Sequence, residues 1–94
     1  MPDIRKIHKN ITVTGRVQGV GFRYACRNMA NSLGIKGSVK NLYDGSVYIE
    51  AEGTELQLRH FIEWCTNGPS YANVTDIKVS NDELKEFRYF DIIH

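Results

Sequence analysis

The sequence has no long hydrophobic run, no marked excess of either charge and almost no cysteine. Its longest uninterrupted apolar stretch is three residues. Such a stretch cannot span a bilayer or form the hydrophobic part of a signal peptide. The 12 Lys+Arg and 11 Asp+Glu leave a net charge of +1, whereas broad binding to nucleic acid or membrane surfaces requires a basic excess. We therefore expect a cytoplasmic protein with no nucleic-acid and no membrane partner.

The length sets the domain organisation. A chain of 94 residues is the size of one domain. Its 41% hydrophobic residues are sufficient for one core without a disulfide or a metal. We expect a single domain over residues 1–94, acting as a monomer.

Hydrophobic periodicity predicts five strands and two helices. The strands are expected near 7–14, 39–43, 47–51, 75–79 and 87–93. The first helix is expected over 22–33 with Gly34 as its end, and the second begins at a Thr54–Gln57 capping box and ends at 67–69. The dipeptide Asp44-Gly45 predicts a tight hairpin turn between the second and third strands.

This order, β-α-β-β-α-β with one more strand, is that of the α+β ferredoxin-like split βαβ sandwich. It predicts an antiparallel sheet with two helices on one face. Because this fold supports RNA-binding, metal-carrying, effector-sensing and catalytic domains, function has to be argued from particular residues.

Glycines 15, 19 and 21 lie in the segment that joins the first strand to the first helix. Unpaired amides and the positive end of the helix dipole meet at this point, and glycines allow the loop to fold into a nest of N–H groups around a phosphate. Arg23 in the first helical turn is placed to add a bidentate contact. An ordinary glycine-rich turn with an exposed arginine is the alternative, and the two flanking arginines, Arg16 and Arg23, favour an anion site.

The common nucleotide-binding motifs do not match this loop. A P-loop needs Lys-Ser or Lys-Thr after its last glycine, and none is present. In the dinucleotide fingerprint a third glycine would stand where this chain has Tyr24.

Three stretches resemble the acylphosphatase family. The first is Gly-Arg-Val-Gln-Gly-Val at 15–20 followed by Phe22 and Arg23. The others comprise the following residues: Gly37, Val39, Asn41, Asp44, Gly45 and Val47, then Gly68, Pro69, Ala72 and Val74. Ser38 and Leu42 depart from the family pattern and are expected to alter the rim of the site and its turnover.

The resemblance implies an enzyme that hydrolyses acyl phosphates to a carboxylate and inorganic phosphate, with no metal, no cofactor and no covalent intermediate. It implies that Arg23 binds the phosphoryl group together with loop amides, and that Asn41 holds the attacking water. The loop residues concerned are Arg16, Val17, Gln18, Gly19 and Val20. Inorganic phosphate and sulfate are the expected competing anions.

Several residues have other interpretations. Without the family, Asn41 would be a strand-end residue that supports the hairpin. Its side chain is expected to approach the loop if the second strand lies next to the first. We interpret Glu50 and Glu52, which share one strand face, as solvent-facing.

The cysteines and histidines do not suggest a metal site. Cys26 and Cys65 lie in the apolar stripes of the two helices and are interpreted as core residues, with pairing left open. The three histidines, His8, His60 and His94, share no ligand spacing and are interpreted as solvated.

Two other functions compete with the enzyme. An RNA-binding domain of this fold would carry a basic, aromatic third strand, whereas residues 46–52 contain one aromatic residue and two acids. A non-catalytic phospho-ligand-binding or regulatory domain remains the alternative, since similar domains occur fused to carbamoyl-transfer machinery. The start of the chain and its complete last strand favour a free-standing enzyme.

Overall fold

The computed structural model describes residues 4–94, which form five strands and two helices in the predicted order. The elements are β1 (Ile7–Arg16), α1 (Phe22–Leu33), β2 (Lys36–Asn41), β3 (Val47–Gly53), α2 (Glu55–Asn67), β4 (Asn73–Asp82) and β5 (Phe90–Ile93). The ferredoxin-like α+β fold is confirmed. Within residues 4–94, neither helix has the length and apolar character needed to cross a membrane.

Both helices begin and end where the sequence predicts. Gly34 follows α1 with φ 78°, and hydrogen bonds to the carbonyl groups of the last turn close the helix there. Thr54 and Gln57 form the reciprocal capping box at the start of α2.

The sheet has the order β4-β1-β3-β2-β5. The pairs β4–β1, β1–β3 and β3–β2 are antiparallel, as predicted, but β5 pairs with β2 in parallel. The prediction of a wholly antiparallel sheet was therefore wrong for its last strand. Strands β4 and β2 run in opposite directions, and a chain that leaves β4 and turns back at the same end of the sheet necessarily runs parallel to β2.

The core lies between one face of the sheet and both helices. Ile11 of β1, Ile49 of β3 and Val39 of β2 are paired across the sheet and completely buried. Helix residues Cys26 and Phe61 are in the same buried cluster. Alternate strand positions therefore point at the helices, as the period-2 pattern requires.

The glycine near the end of β1 does not end the strand. Residues Gly15 and Arg16 continue the pairing with β4 after a register shift at Thr14. Gly15 has φ 128°, and a Cβ there would lie 2.1 Å from the carbonyl oxygen of Asn73. The sequence predicted that Gly15 breaks the first strand. In the structure, this glycine instead allows a β-bulge at which the backbone of β4 approaches β1 closely.

The hairpin between β2 and β3 is longer than the predicted two-residue turn. Residues 42–46 form the connection, in which Asp44 Oδ1 accepts hydrogen bonds from the Ser46 amide at 2.9 Å and from Ser46 Oγ at 2.5 Å. These bonds, the Ser46 hydroxyl above all, lower the pKa of Asp44 below its usual value. The side chain of Asp44 thus closes a wider turn than two primed residues would.

The sheet face away from the helices carries a buried polar cluster at its lower end, defined here as the end where β1 begins. His8 is 1% exposed and Glu52 is 4% exposed, and His8 Nδ1 lies 2.7 Å from Glu52 Oε2. The carboxylate also accepts hydrogen bonds from the amides of Lys85 and Phe87 at 2.6 and 3.0 Å. The interpretations of His8 as solvated and of Glu52 as solvent-facing were wrong.

Residues 83–89 explain this burial. They connect β4 to β5 across the lower end of the sheet, and Phe87 stacks on His8 with ring centroids 6.2 Å apart. The last strand was predicted to begin at Phe87. In the structure the Phe87 amide donates to the Glu52 carboxylate, and the strand begins at Phe90.

The two cysteines are free and buried, one in each helix. Burial raises the pKa of both thiols well above the usual value. Their interpretation as core residues is confirmed.

Candidate active site

The segment after β1 forms a short loop, residues 17–21, that leads directly into α1 at the upper end of the sheet. Gly19 and Gly21 have φ values of 72° and 78°, in the left-handed region that glycine adopts without strain. Gly21 is the N-cap of α1 and provides no side-chain cap, and the first turn contains no acidic residue. The first amides of the helix are therefore open to an anion.

Two anchors hold this loop in place. The Val17 side chain is 1% exposed and is part of the core cluster. The Gln18 side chain reaches the β2–β3 connection, where Nε2 donates to the carbonyl oxygens of Leu42 and Ser46 at 2.7 and 2.8 Å. The loop is thus fixed to the core on one side and to the hairpin on the other.

Arg23 lies in the first turn of α1, beside the loop. The residue is half-buried, and its Nη1 donates to the carbonyl oxygen of Ile93 at 3.3 Å. This hydrogen bond links the arginine to the last residue of β5, whose upper end is at the same edge of the sheet as the loop.

Asn41 is the last residue of β2 and lies at this same edge. Strand β3 separates β2 from β1, so the adjacency on which its expected approach to the loop depended does not occur. Asn41 pairs with Val47, which pairs with Val13 near the end of β1. The loop after β1 reaches back across the start of β3 toward Asn41.

The side chain of Asn41 contains a buried polar atom without a partner. Within residues 4–94, its Oδ1 has no hydrogen-bond partner. A buried amide oxygen left in this state is unfavourable by about 1–3 kcal/mol, so it indicates a position where a hydrogen-bond donor binds.

Loop, arginine and asparagine line one pocket of about 100 Å³. Its lining residues are Val17, Gly19, Gly21, Phe22, Arg23, Tyr24 and Asn41. None of them is acidic, whereas they include one guanidinium and the open N-terminus of a helix. This combination is suited to a small anion such as a phosphoryl group.

The remaining predicted loop residues lie around this pocket and not in it. Arg16 and Val20 line an adjoining open hollow of about 430 Å³ with Gly19 and Tyr71. Ser38 is buried within β2 and does not line the pocket.

Other features of the site were not foreseen. Tyr24 was used in the sequence only to exclude a nucleotide motif, and the hydrogen bonds of Ile93 and Gln18 had no local sequence signal. The sequence shows that Tyr24 directly follows Arg23. It does not show that both residues border the same cavity.

A second hollow, of about 150 Å³, lies at the lower end of the sheet. It is lined by Lys6, Gly34, Lys36, Glu52, Leu84, Glu86 and Phe87. Its charged side chains are of both signs, and the Glu52 carboxylate already accepts the hydrogen bonds described above. Among residues 4–94, no group of three or more His, Cys, Asp and Glu side chains is arranged to hold a metal ion.

Comparison with known proteins identifies relatives of similar length. The chain matches the acylphosphatase family model over residues 9–92. It is 48% identical over 84 residues to an acylphosphatase of Archaeoglobus fulgidus, covering 89% of this chain and 94% of that protein. It is 45% identical over 93 residues to an acylphosphatase of Acaryochloris marina, covering 99% of this chain and 98% of that protein.

Solved structures agree with the sequence matches. The crystal structure of acylphosphatase from Bacillus subtilis superposes with a TM-score of 0.91 at 43% identity, covering 94% of this chain and 99% of that chain. A structure of full-length HypF in its phosphate- and nucleotide-bound form contains a similar region, with a TM-score of 0.87 and 33% identity, which covers 98% of this chain but 12% of that chain. On the length and identity of these matches, the chain belongs to the acylphosphatase family.

Proposed function

We propose that this protein hydrolyses the carboxyl–phosphate bond of acyl phosphates to a carboxylate and inorganic phosphate, without a metal ion. The observation that carries the proposal is the pocket lined by loop glycines, Arg23 and Asn41, together with the buried Asn41 Oδ1, which has no partner among residues 4–94. Family membership supports the same reaction.

The loop and Arg23 bind the phosphoryl group. We expect amides of residues 16–20, of which Val17 and Gly19 line the pocket, to donate to its oxygens, and the Arg23 guanidinium to supply a full positive charge from the first turn of α1. Phosphoryl transfer passes through a loose transition state in which charge on the equatorial oxygens has to be stabilised. Fixed amides and an arginine provide this stabilisation without reorganising during the reaction.

Asn41 positions the nucleophile. Its unpartnered Oδ1 accepts a hydrogen bond from a water molecule, which orients a lone pair of the water toward phosphorus. The water attacks in line with the bond to the carboxylate, so one P–O bond forms as the acyl P–O bond breaks.

The chemistry requires no general acid from the protein. The leaving carboxylate is a weak base, with a conjugate-acid pKa of about 4, and departs without protonation. The proton of the attacking water is transferred to an oxygen of the phosphoryl group, so substrate and water together contain every proton that the reaction needs.

The same pocket is expected to bind inorganic phosphate, the product, and sulfate. We propose that the protein acts as a single-domain monomer over residues 1–94 in the cytoplasm.

A non-catalytic phospho-ligand domain is the second candidate, favoured by the likeness to a region of HypF. Both candidates bind phosphate, so only turnover separates them. We expect the purified chain to hydrolyse benzoyl phosphate, and in ¹⁸O-labelled water to place the label in phosphate and none in benzoate. Phosphate binding without hydrolysis would favour the second candidate, and label in benzoate would show attack at carbon.

A further inference from the structure

The side chain of Gln18 makes a contact that the phosphate-binding role of the loop does not require. Gln18 is half-buried and does not line the pocket, and its carboxamide reaches the β2–β3 connection, where Nε2 donates to Leu42 O at 2.7 Å and to Ser46 O at 2.8 Å. A carboxamide NH₂ has two N–H donors, and both are used here.

The same two carbonyl groups also accept the backbone hydrogen bonds that close the hairpin. The Leu42 amide donates to Ser46 O at 2.9 Å, and the Gly45 amide donates to Leu42 O at 3.2 Å. Asn41 directly precedes Leu42 and pairs with Val47, which directly follows Ser46. Gln18 therefore binds the backbone at both ends of the β2–β3 connection, one residue after Asn41 and one residue before Val47.

We propose that the Gln18 side chain is a positioning residue that sets the place of Asn41 relative to the phosphate-binding loop. Gln18 is itself a residue of the loop. Its Nε2 also binds the β2–β3 connection, which directly follows Asn41. The loop fixes phosphorus and Asn41 fixes the water, so this contact controls the alignment of the water with phosphorus. The inference rests on the proposed function.

The length and the donors of glutamine both matter to this role. Methionine has a similar unbranched length but no N–H group. Glutamate keeps the shape but turns an oxygen toward two carbonyl oxygens. The substitution Gln18→Met therefore removes the two hydrogen bonds, and Gln18→Glu replaces them with repulsion.

The test is a double-mutant cycle in kcat on benzoyl phosphate. We expect Gln18→Met to lower kcat about tenfold to a hundredfold, since small misplacements of reacting groups have effects of this size. The inhibition constant of phosphate should change less than about threefold, because the loop amides and Arg23 remain. In an Asn41→Ala background, Gln18→Met should lower kcat by less than about twofold, because there is no longer an oriented water to misplace.

The matched control is Gln57→Met, at the other glutamine of the chain. Gln57 Oε1 accepts a hydrogen bond from the Thr54 amide at 2.8 Å in the α2 capping box, away from the pocket. Its loss should lower the urea midpoint and leave kcat unchanged. This control separates a general loss of stability from a loss of alignment.

The outcomes distinguish this inference from the proposed function. Should Gln18→Met and Gln18→Glu both fail to fold, Gln18→Asn tests the same contact more mildly, because it keeps the amide donors but is one methylene too short to reach both carbonyl groups, and it is also expected to lower kcat. The inference is overturned if folded Gln18 variants keep kcat within twofold of the unmutated protein, or if they lower kcat equally with and without Asn41. Absence of hydrolysis in the unmutated protein would instead overturn the proposed function.

Discussion

Arg23 and Asn41 face the same pocket from two different elements, the first turn of α1 and the last residue of β2. Arg23 has its polar contact with Ile93, whereas Asn41 Oδ1 has none within residues 4–94. Because the two side chains are held independently, mutation should separate phosphate binding from the positioning of water.

Arg23→Ala is expected to weaken phosphate inhibition and to lower kcat together. A charge-assisted contact of about 1.5–3 kcal/mol is lost, which corresponds to at least tenfold in affinity. Arg23→Lys should restore little, because an ammonium cannot reproduce the planar fork. Steady-state kinetics with phosphate as inhibitor measure both effects.

The control for this prediction is Arg59→Ala. Arg59 has a side chain that is 67% exposed and pairs with Glu55 one turn earlier on α2, a contact of small energetic value. This variant should keep full activity. Normal turnover and phosphate affinity in Arg23→Ala would remove Arg23 from the site.

Asn41→Ala is expected to lower kcat by about 10²–10³ while phosphate inhibition changes little. Its stability should be unchanged or slightly higher, because the substitution removes a buried oxygen that has no partner among residues 4–94. If Asn41 only supports the hairpin, the urea midpoint should fall and kcat should stay within a few-fold. Asn28→Ala, on the exposed side of α1, is the matched control.

The sequence identified the components of the site but not how they meet. The glycine pattern with Arg23 indicated an anion site at a helix N-terminus, which follows from local geometry. The position of Asn41 depends on which strands are neighbours, and its premise, β2 beside β1, does not hold. The side-chain contact of Gln18 joins positions far apart in the chain, so no local pattern contains it.

Two glycines of the same motif should respond differently to alanine. Gly19 has φ 72° with open space where a Cβ would lie, so Gly19→Ala adds only strain of about 1–2 kcal/mol and should mainly impair phosphate binding. In Gly15→Ala the new Cβ would lie 2.1 Å from Asn73 O. Gly15→Ala should therefore lower the urea midpoint more than Gly19→Ala, and equal midpoints would contradict the bulge at Gly15.

Glu52 should make stability depend on pH. Burial raises its pKa, but hydrogen bonds from His8 and from the Lys85 and Phe87 amides outweigh this, so the pKa is lower than usual. A lowered folded-state pKa contributes stability that is present above the unfolded value of about 4.3 and is lost as pH falls through the folded value.

We therefore expect Glu52→Gln to be less stable than the unmutated protein at pH 7, with the difference shrinking below about pH 4.3. Urea midpoints between pH 7 and pH 3 measure it, with Glu63→Gln on the exposed side of α2 as control. Because Glu52 lies at the end of the sheet away from the pocket, kcat of Glu52→Gln should be unchanged. A constant difference across the pH range would contradict the lowered pKa.

Glu52 also shows what strand alternation cannot reveal. The period-2 pattern placed it correctly on the face away from the helices, and on that ground it was expected to be solvated. The pattern contains no information about residues 83–89, which cross this face and bury the carboxylate.

The most direct test of the central claim is benzoyl phosphate hydrolysis by the unmutated protein in a chelating buffer, with inorganic phosphate as a variable inhibitor. One pocket built from loop amides, Arg23 and Asn41 predicts full activity in the chelator and purely competitive inhibition by phosphate, with sulfate acting in the same way. Activity abolished by the chelator and restored by Mg²⁺ or Zn²⁺, or purely non-competitive inhibition by phosphate, would contradict it.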